Sequence, residues 1–438
     1  VTVTAIRADL LHCLRDPGLD GAGAGALEHL RDAVLLVRAG RIERLAPAAV
    51  LLPALGPDVA VHDWRGRLVV PGFVDTHVHF PQVDVIARYG SQLLDWLERY
   101  TFPAEQRFGD AAHAEAAAAF FLDRLLENGT TTASVFCTVH PGSVDAFFAE
   151  ARRRGLLMVA GKCLMDRHAP DGLRDTAESS VAESRALIER WHGADRLRYS
   201  ITPRFAATST EAQLAGAGRL AAEHPGVHVQ SHVAENRDEV AWVARLFPQA
   251  RSYLDVYDRF GLLRERAVYA HCIWLDDTDR ARLTASGTAA SFCPTSNLFI
   301  GSGLYDLRQA LAAGNRVGVG TDVGGGTGYS MLRTLGEAYK VQQLQGTSLH
   351  PACSLYLATL GGARSLYLDD RIGSLLPGRD ADLAVLDPAA TPLLARRTAL
   401  CDDPLDTWFA LTTLGDDRAV AATYAAGRLV HRRDPVAA

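Results

Sequence analysis

Eight short runs rich in apolar and β-branched residues punctuate the chain between residues 68 and 324. They are LVVPGFVD (68–75), TTTASVFCTV (130–139), LLMVAGKCLM (156–165), LRYSITPRF (197–205), VHVQSHVAE (227–235), AVYAHCIWL (267–275), GTAASFCPTS (287–296) and RVGVGTDVG (316–324). Segments of helical texture lie between them. In AAHAEAAAAFFLDRLLENG, Asp110 stands just before the first alanine as a candidate N-cap and Gly129 is the stop. STEAQLAGAGRLAAEH, NRDEVAWVARLF and DDTDRARLTASG read the same way. Eight buried strands alternating with helices predict an α/β fold, a (β/α)8 TIM-like barrel. Residues 1–67 and 376–438 differ in texture. They read as strands and turns, and VRAGRIERL and YAAGRLVHR both look like hairpins around Ala-Gly-Arg. We expect the two ends to form one small β-sandwich domain, with the barrel spanning 68–375.

Composition narrows the partners. The 438 residues are 48% hydrophobic with 22% charged, enough to bury a sizeable core. A net charge of -6 carries no electrostatic footprint for nucleic acid or an anionic membrane. No apolar run reaches membrane-spanning length. The seven cysteines are scattered with no C-x-x-C pair, which argues for free thiols in a reducing compartment. With no signal pattern near the start, a cytoplasmic protein is expected.

In a (β/α)8 barrel the chemistry sits at the C-terminal ends of the strands. The first run ends in Asp75-Thr76-His77-Val78-His79, and residues two apart on a strand share a face. His232 ends the fifth run with Glu235 three residues on. His271 ends the sixth, and Asp322 ends the eighth. Three imidazoles and one carboxylate converging on a rim form a nitrogen/oxygen donor set suited to zinc, which leaves a fourth histidine and Glu235 for chemistry. Taken singly, each residue has a plainer reading. The H-x-H pair can be hydrogen-bonded, His232 or His271 can be a satisfied barrel histidine, Asp322 can cap the glycine-rich turn after it, and Glu235 can serve a helix N-terminus. Arg204 ends the fourth run in TPRF. It is donor-only and always charged, so it suits a carbonyl acceptor, although a salt bridge bracing the rim is the alternative. The long segment 80–109 carries Leu93, Leu94, Trp96, Leu97 and Tyr100 at helical spacing, as a packed helix, a lid, or both.

PGFVDTHVHF, SHVAEN, AHC and GTD resemble the signature set of the amidohydrolase superfamily. HFPQVD, LLDWLERYTFPAE, NGTTTASVF, TPRF, SHVAENRDEV, PTSN and GTDVGGGTGYSML are similar to its guanine deaminases, within the ATZ/TRZ-like branch. The resemblance covers about residues 68–385. It implies His77, His79, His232 and Asp322 as ligands of one zinc per subunit, with iron compatible with the same donors. It also implies that Asp322 accepts a water proton, that His271 orients the hydroxide and that Glu235 protonates a purine ring nitrogen. Gln82, Arg204, Phe205 and Trp96 would bind the substrate. The implied reaction is guanine to xanthine and ammonia, in a homodimer whose partner is a small-molecule purine. A related deaminase or chlorohydrolase acting on 8-oxoguanine or an s-triazine is the alternative, and a non-catalytic barrel a more distant one. Two-metal relatives bridge their ions with a lysine from the fourth strand. Here Lys162 falls in the third run and Lys340 in a later helix. One departure is Cys272, where relatives often have glycine after the histidine; little effect on the metal is expected.

Overall fold

The structure is a computed structural model that describes residues 3–90 and 92–434. The chain divides into two compact units. One comprises the residues up to Val74, Asp123–Thr132 and the chain from Ser330; the other comprises Asp75–Leu122 and Ala133–Tyr329.

The first unit carries a seven-stranded, mostly antiparallel sheet built from both chain ends. Its strands run, edge to edge, Arg428–Arg432, Val420–Ala425, Leu383–Leu386, Ala60–Pro71, Val3–Cys13, Leu27–Arg38 and Arg41–Pro47. The N- and C-terminal portions join where Leu383–Leu386 pairs antiparallel with Leu68–Pro71. Alternation places Ile6, Leu10, Leu35 and Val385 in one apolar cluster, and Ala5 and Val34 in a second. Both Ala-Gly-Arg hairpins form. Ala39 and Gly40 have φ 51° and 81°, and Ala426 and Gly427 have φ 45° and 72°. Two successive left-handed residues are what a two-residue turn between twisted strands requires.

Eight parallel strands form the nearly closed barrel: Phe73–His79, Thr130–Phe136, Leu157–Gly161, Arg198–Pro203, His228–Val233, Ala267–His271, Ala289–Phe292 and Arg316–Val319. A short extra strand, Cys163–Leu164, pairs with the fourth. The first run of the sequence is not one strand. It breaks at Gly72, so that Leu68–Pro71 belongs to the seven-stranded sheet and Phe73 begins the barrel. A Cβ on Gly72 would lie 2.1 Å from Thr131 Oγ1, so only glycine fits at the break. At the other end of the first strand, the Asp322 N–H donates to the His77 carbonyl at 2.9 Å, beyond the eighth strand.

The expected helices form with capped ends. Asp110 Oδ1 accepts from His113 N at 2.8 Å ahead of Ala111–Glu127, and Gly129 has φ 77°. Asn236 caps Arg237–Leu246 in a reciprocal box with Glu239. The segment 80–109 departs from a straight helix. Leu93–Trp96 is α-helical, Leu97–Thr101 is a π-helical turn, and Phe102–Gln106 resumes the α form. The wider turn adds a residue. The inward positions therefore move from Leu93, Trp96 and Leu97 to Thr101, Phe102 and Glu105, and Tyr100 is only partly buried.

Candidate active site

His77 and His79 leave the same face of the first barrel strand, with their Nε2 atoms 3.2 Å apart. His79 Nε2 lies 3.1 Å from His232 Nε2. Asp322 Oδ1 completes the group at 3.2 Å from His77 Nε2 and 3.5 Å from His79 Nε2. Burial pulls the pKa of all three imidazoles well below the usual histidine range, so they are neutral at pH 7. The carbonyl of Arg204 lies 2.6 Å from His232 Nδ1. A carbonyl only accepts, so Nδ1 bears the proton and the Nε2 lone pair points into the cluster. Lone pairs this close repel one another unless a cation lies between them. Donors around one tetrahedral ion at about 2.0–2.1 Å stand roughly 3.3 Å apart, which matches the spacing here. The residues fit a metal ion, and His77, His271 and Asp322 make a second, overlapping group that could hold one.

His271 and Glu235 sit beside this cluster. His271 Nε2 is 3.3 Å from Glu235 Oε2 and 3.9 Å from Asp322 Oδ2. Its Nδ1 is 2.8 Å from Asn297 Oδ1. Burial, with the Asp322 carboxylate adding to it, pushes Glu235 up to about 8, while Ser302 Oγ donates to its Oε1 at 3.0 Å. Burial pushes Asp322 up to about 6. Burial favours the protonated form of both carboxyls and more so for Glu235, which makes Glu235 the better proton donor and Asp322 the better acceptor. The rim is held in an unusual backbone state. Ala234, His271, Cys272 and Asp322 have φ of 50°, 71°, 53° and 50°. Left-handed non-glycine residues cost free energy and gather at functional sites.

Gln82, Trp96, Arg204 and Phe205 line the same cavity as His79 and Glu235. The Trp96 indole N–H is buried and has no acceptor among the described residues. Arg204 Nη1 donates to Glu105 Oε2 at 2.5 Å, so the ion pair of the plainer reading is present even though the side chain lines the cavity.

Residues 68–430 match the amidohydrolase family. The chain belongs to that family. Over 433 residues, 99% of each chain, it is 48% identical to guanine deaminase of Escherichia coli. The solved structure of E. coli guanine deaminase superposes with a TM-score of 0.96, covering 98% of this chain and 100% of that one at 48% identity. Guanine deaminase from C. acetobutylicum, solved with bound guanine in the active site, superposes with a TM-score of 0.88 at 25% identity, covering 98% of this chain and 100% of that one.

Several residues of this amidohydrolase site carry no clear signal in the sequence. Asp75, fully buried, accepts from His77 N at 3.2 Å, from Thr321 N at 3.0 Å and from Thr321 Oγ1, tying the first strand to the residue before Asp322. Ser302, in the loop after the helix Pro294–Phe299, holds Glu235, and Asn297, on that helix, holds His271; of the two only Asn297 falls in a quoted phrase, PTSN. Glu105 lies inside the branch-specific phrase YTFPAE, and a carboxylate in an apolar segment is the available signal. Lys162 is buried against Asp175 and Glu183, at 3.2 Å from the latter. The Cys272 thiol turns to the Tyr269 carbonyl at 3.4 Å. All seven cysteines are free, and among the described residues no helix is long and apolar enough to cross a membrane.

Proposed function

We propose that the protein is a zinc-dependent guanine deaminase, converting guanine and water to xanthine and ammonia. One observation carries the reading: His79, His232 and Asp322 of the cluster, Glu235 and the donor-only side chain of Arg204, all buried or nearly so, line a single cavity, with His77 against His79. His77, His79, His232 and Asp322 would hold one zinc per subunit, and iron suits the same donors. Bound zinc lowers the pKa of its water to about 7, which supplies hydroxide at neutral pH.

Asp322 takes the first proton of the attacking water, and His271 orients the attacking oxygen by a hydrogen bond. As that oxygen bonds to C2, Glu235 protonates N3. The amino group then takes the proton held by Asp322 and leaves as ammonia with the C2–N electron pair. The new hydroxyl returns its proton to Glu235 and becomes the C2 carbonyl of xanthine. Arg204 donates to O6, where adenine offers an amino donor instead. Leaving a buried charged donor unpaired costs about 1–3 kcal/mol or more. Phe205 and Trp96 pack on the ring.

The same reading includes a cytoplasmic homodimer with no nucleic-acid or membrane partner. It also includes a catalytic unit of residues 68–375, with 1–67 and 376–438 as the accessory unit, except that Leu68–Pro71 pairs within the accessory sheet. The test is ammonia release by the zinc-loaded protein across guanine, 8-oxoguanine, adenine and s-triazines. The expected result is strong release from guanine and negligible release from adenine. In the Arg204→Ala variant, kcat/KM for guanine should fall while zinc content stays normal. Preference for 8-oxoguanine or an s-triazine would reassign the substrate, and no release from any would leave a binding barrel.

A further inference from the structure

We propose that Glu105 is a positioning residue that fixes which face of the Gln82 amide meets the substrate, making the site selective for a lactam edge, a ring N–H beside a C=O. The proposal rests on the guanine deaminase reading and deepens it.

Glu105 is 1% exposed, turned inward after a π-helical turn, and touches two residues that line the cavity without lining it itself. Its two oxygens are divided between two substrate-side residues. Oε2 takes Arg204 Nη1 at 2.5 Å, and Oε1 takes Gln82 Nε2 at 3.0 Å. The carboxylate only accepts, so it can hold Gln82 by its NH2 group and by nothing else. Turning the amide over would set Gln82 Oε1 against Glu105 Oε1. Gln82 Oε1 is therefore left facing away from Glu105, next to Gly324. A Cβ at Gly324 would lie 2.0 Å from that oxygen, so only glycine gives it room. Phe102 lies against the Arg204 guanidinium, 5.4 Å from ring centroid to Cζ, and helps fix its plane.

The cavity thus presents a fixed order, donors from Arg204 and one acceptor from Gln82. The lactam of guanine matches it, C6=O to Arg204 and N1–H to Gln82. Adenine presents the reverse order. 2-Aminopurine keeps the reacting amino carbon but has neither the carbonyl nor the N–H, so it draws nothing from this device. Selectivity then comes from the carboxylate behind the pair as well as from the pair itself.

The test compares guanine with 2-aminopurine in zinc-loaded protein, the latter read by turnover or, where that is too slow, by its inhibition constant. In Glu105→Gln the new amide both donates and accepts, so the lock is lost. Guanine kcat/KM should fall by about tenfold to a hundredfold, mainly through KM, while the 2-aminopurine value holds within about threefold and metal content is unchanged. Adding Gln82→Glu to Glu105→Gln puts an acceptor-only group against the substrate again and should restore most of the guanine preference. Equal losses on both substrates, or no rescue by the exchange, overturn the proposal and leave Glu105 a structural brace. Should Glu105→Gln fail to fold, Gln82→Ala alone decides: an unchanged guanine to 2-aminopurine ratio overturns the proposal. Wild-type protein that releases no ammonia from guanine instead overturns the functional reading, a result distinct from any of these.

Discussion

Burial drives the Glu235 carboxyl up to about 8 from 4.5, and the sign of that shift has two consequences. In catalysis it keeps a proton available at neutral pH. Glu235→Gln should therefore retain the metal and lose about 10²–10⁴-fold in turnover, read by metal analysis beside ammonia release. In stability the effect runs the other way. Between about 4.5 and 8 the folded protein holds the proton while the unfolded chain has released it, so stability falls as pH rises across that window. The amide removes this slope. In chelator, Glu235→Gln should melt above wild type at pH 9, with the gap closing toward pH 5; a gap independent of pH would contradict the shift. His77 and His79 were legible because two residues on a strand share a face. Asp75 was not, because its partner Thr321 lies 246 residues away and no local pattern links them. Cys272 shows a subtler gap. Its thiol turns to the Tyr269 carbonyl, which alone predicts little effect, yet its φ of 53° places the residue where glycine is the easier occupant.

At the scale of elements, all eight barrel strands could be read from their apolar runs, but the ends of the runs could not. The seventh run extends to residue 296, whereas its strand stops at Phe292 and a helix begins at Pro294. Residues at the barrel mouth are buried like strand residues, so burial pattern alone cannot mark where pairing stops. The segment from Leu93 fails for another reason. Helical spacing assumes about 100° per residue, and the π-helical turn at Leu97–Thr101 absorbs one extra residue without disturbing the helix after it. This makes an asymmetric prediction. Deleting the exposed Arg99 should turn the segment into ordinary α-helix with Phe102 and Glu105 still inward, and the variant should fold and keep its guanine selectivity. Inserting an alanine after Arg99 should rotate both by roughly 100° and abolish guanine turnover. Equal behaviour of the two variants, by thermal melt and ammonia release, would count against the turn as the element that aims Glu105.

For the molecule as a whole, the paired β-rich ends suggested one sheet from both termini, and the seven-stranded sheet has that origin. Which strands meet was not legible, because register between segments so far apart leaves no trace in either one. Leu383–Leu386 is the strand that matters most, since it joins the N-terminal four to the last two. A chain ending at Asp382 should be insoluble rather than partly folded, checked by expression and fractionation; soluble protein with a native-like melt would refute this. The seam also sets a clock during synthesis. Leu68-Val69-Val70 leaves the ribosome early, while the strand that pairs with it is made roughly three hundred residues later, about 15–60 s at about 5–20 residues per second. Through that interval an apolar strand waits with one backbone edge open to neighbouring nascent chains. The expected consequence is a yield that responds to growth temperature and to holdase chaperones more than to substitutions that raise the melting temperature.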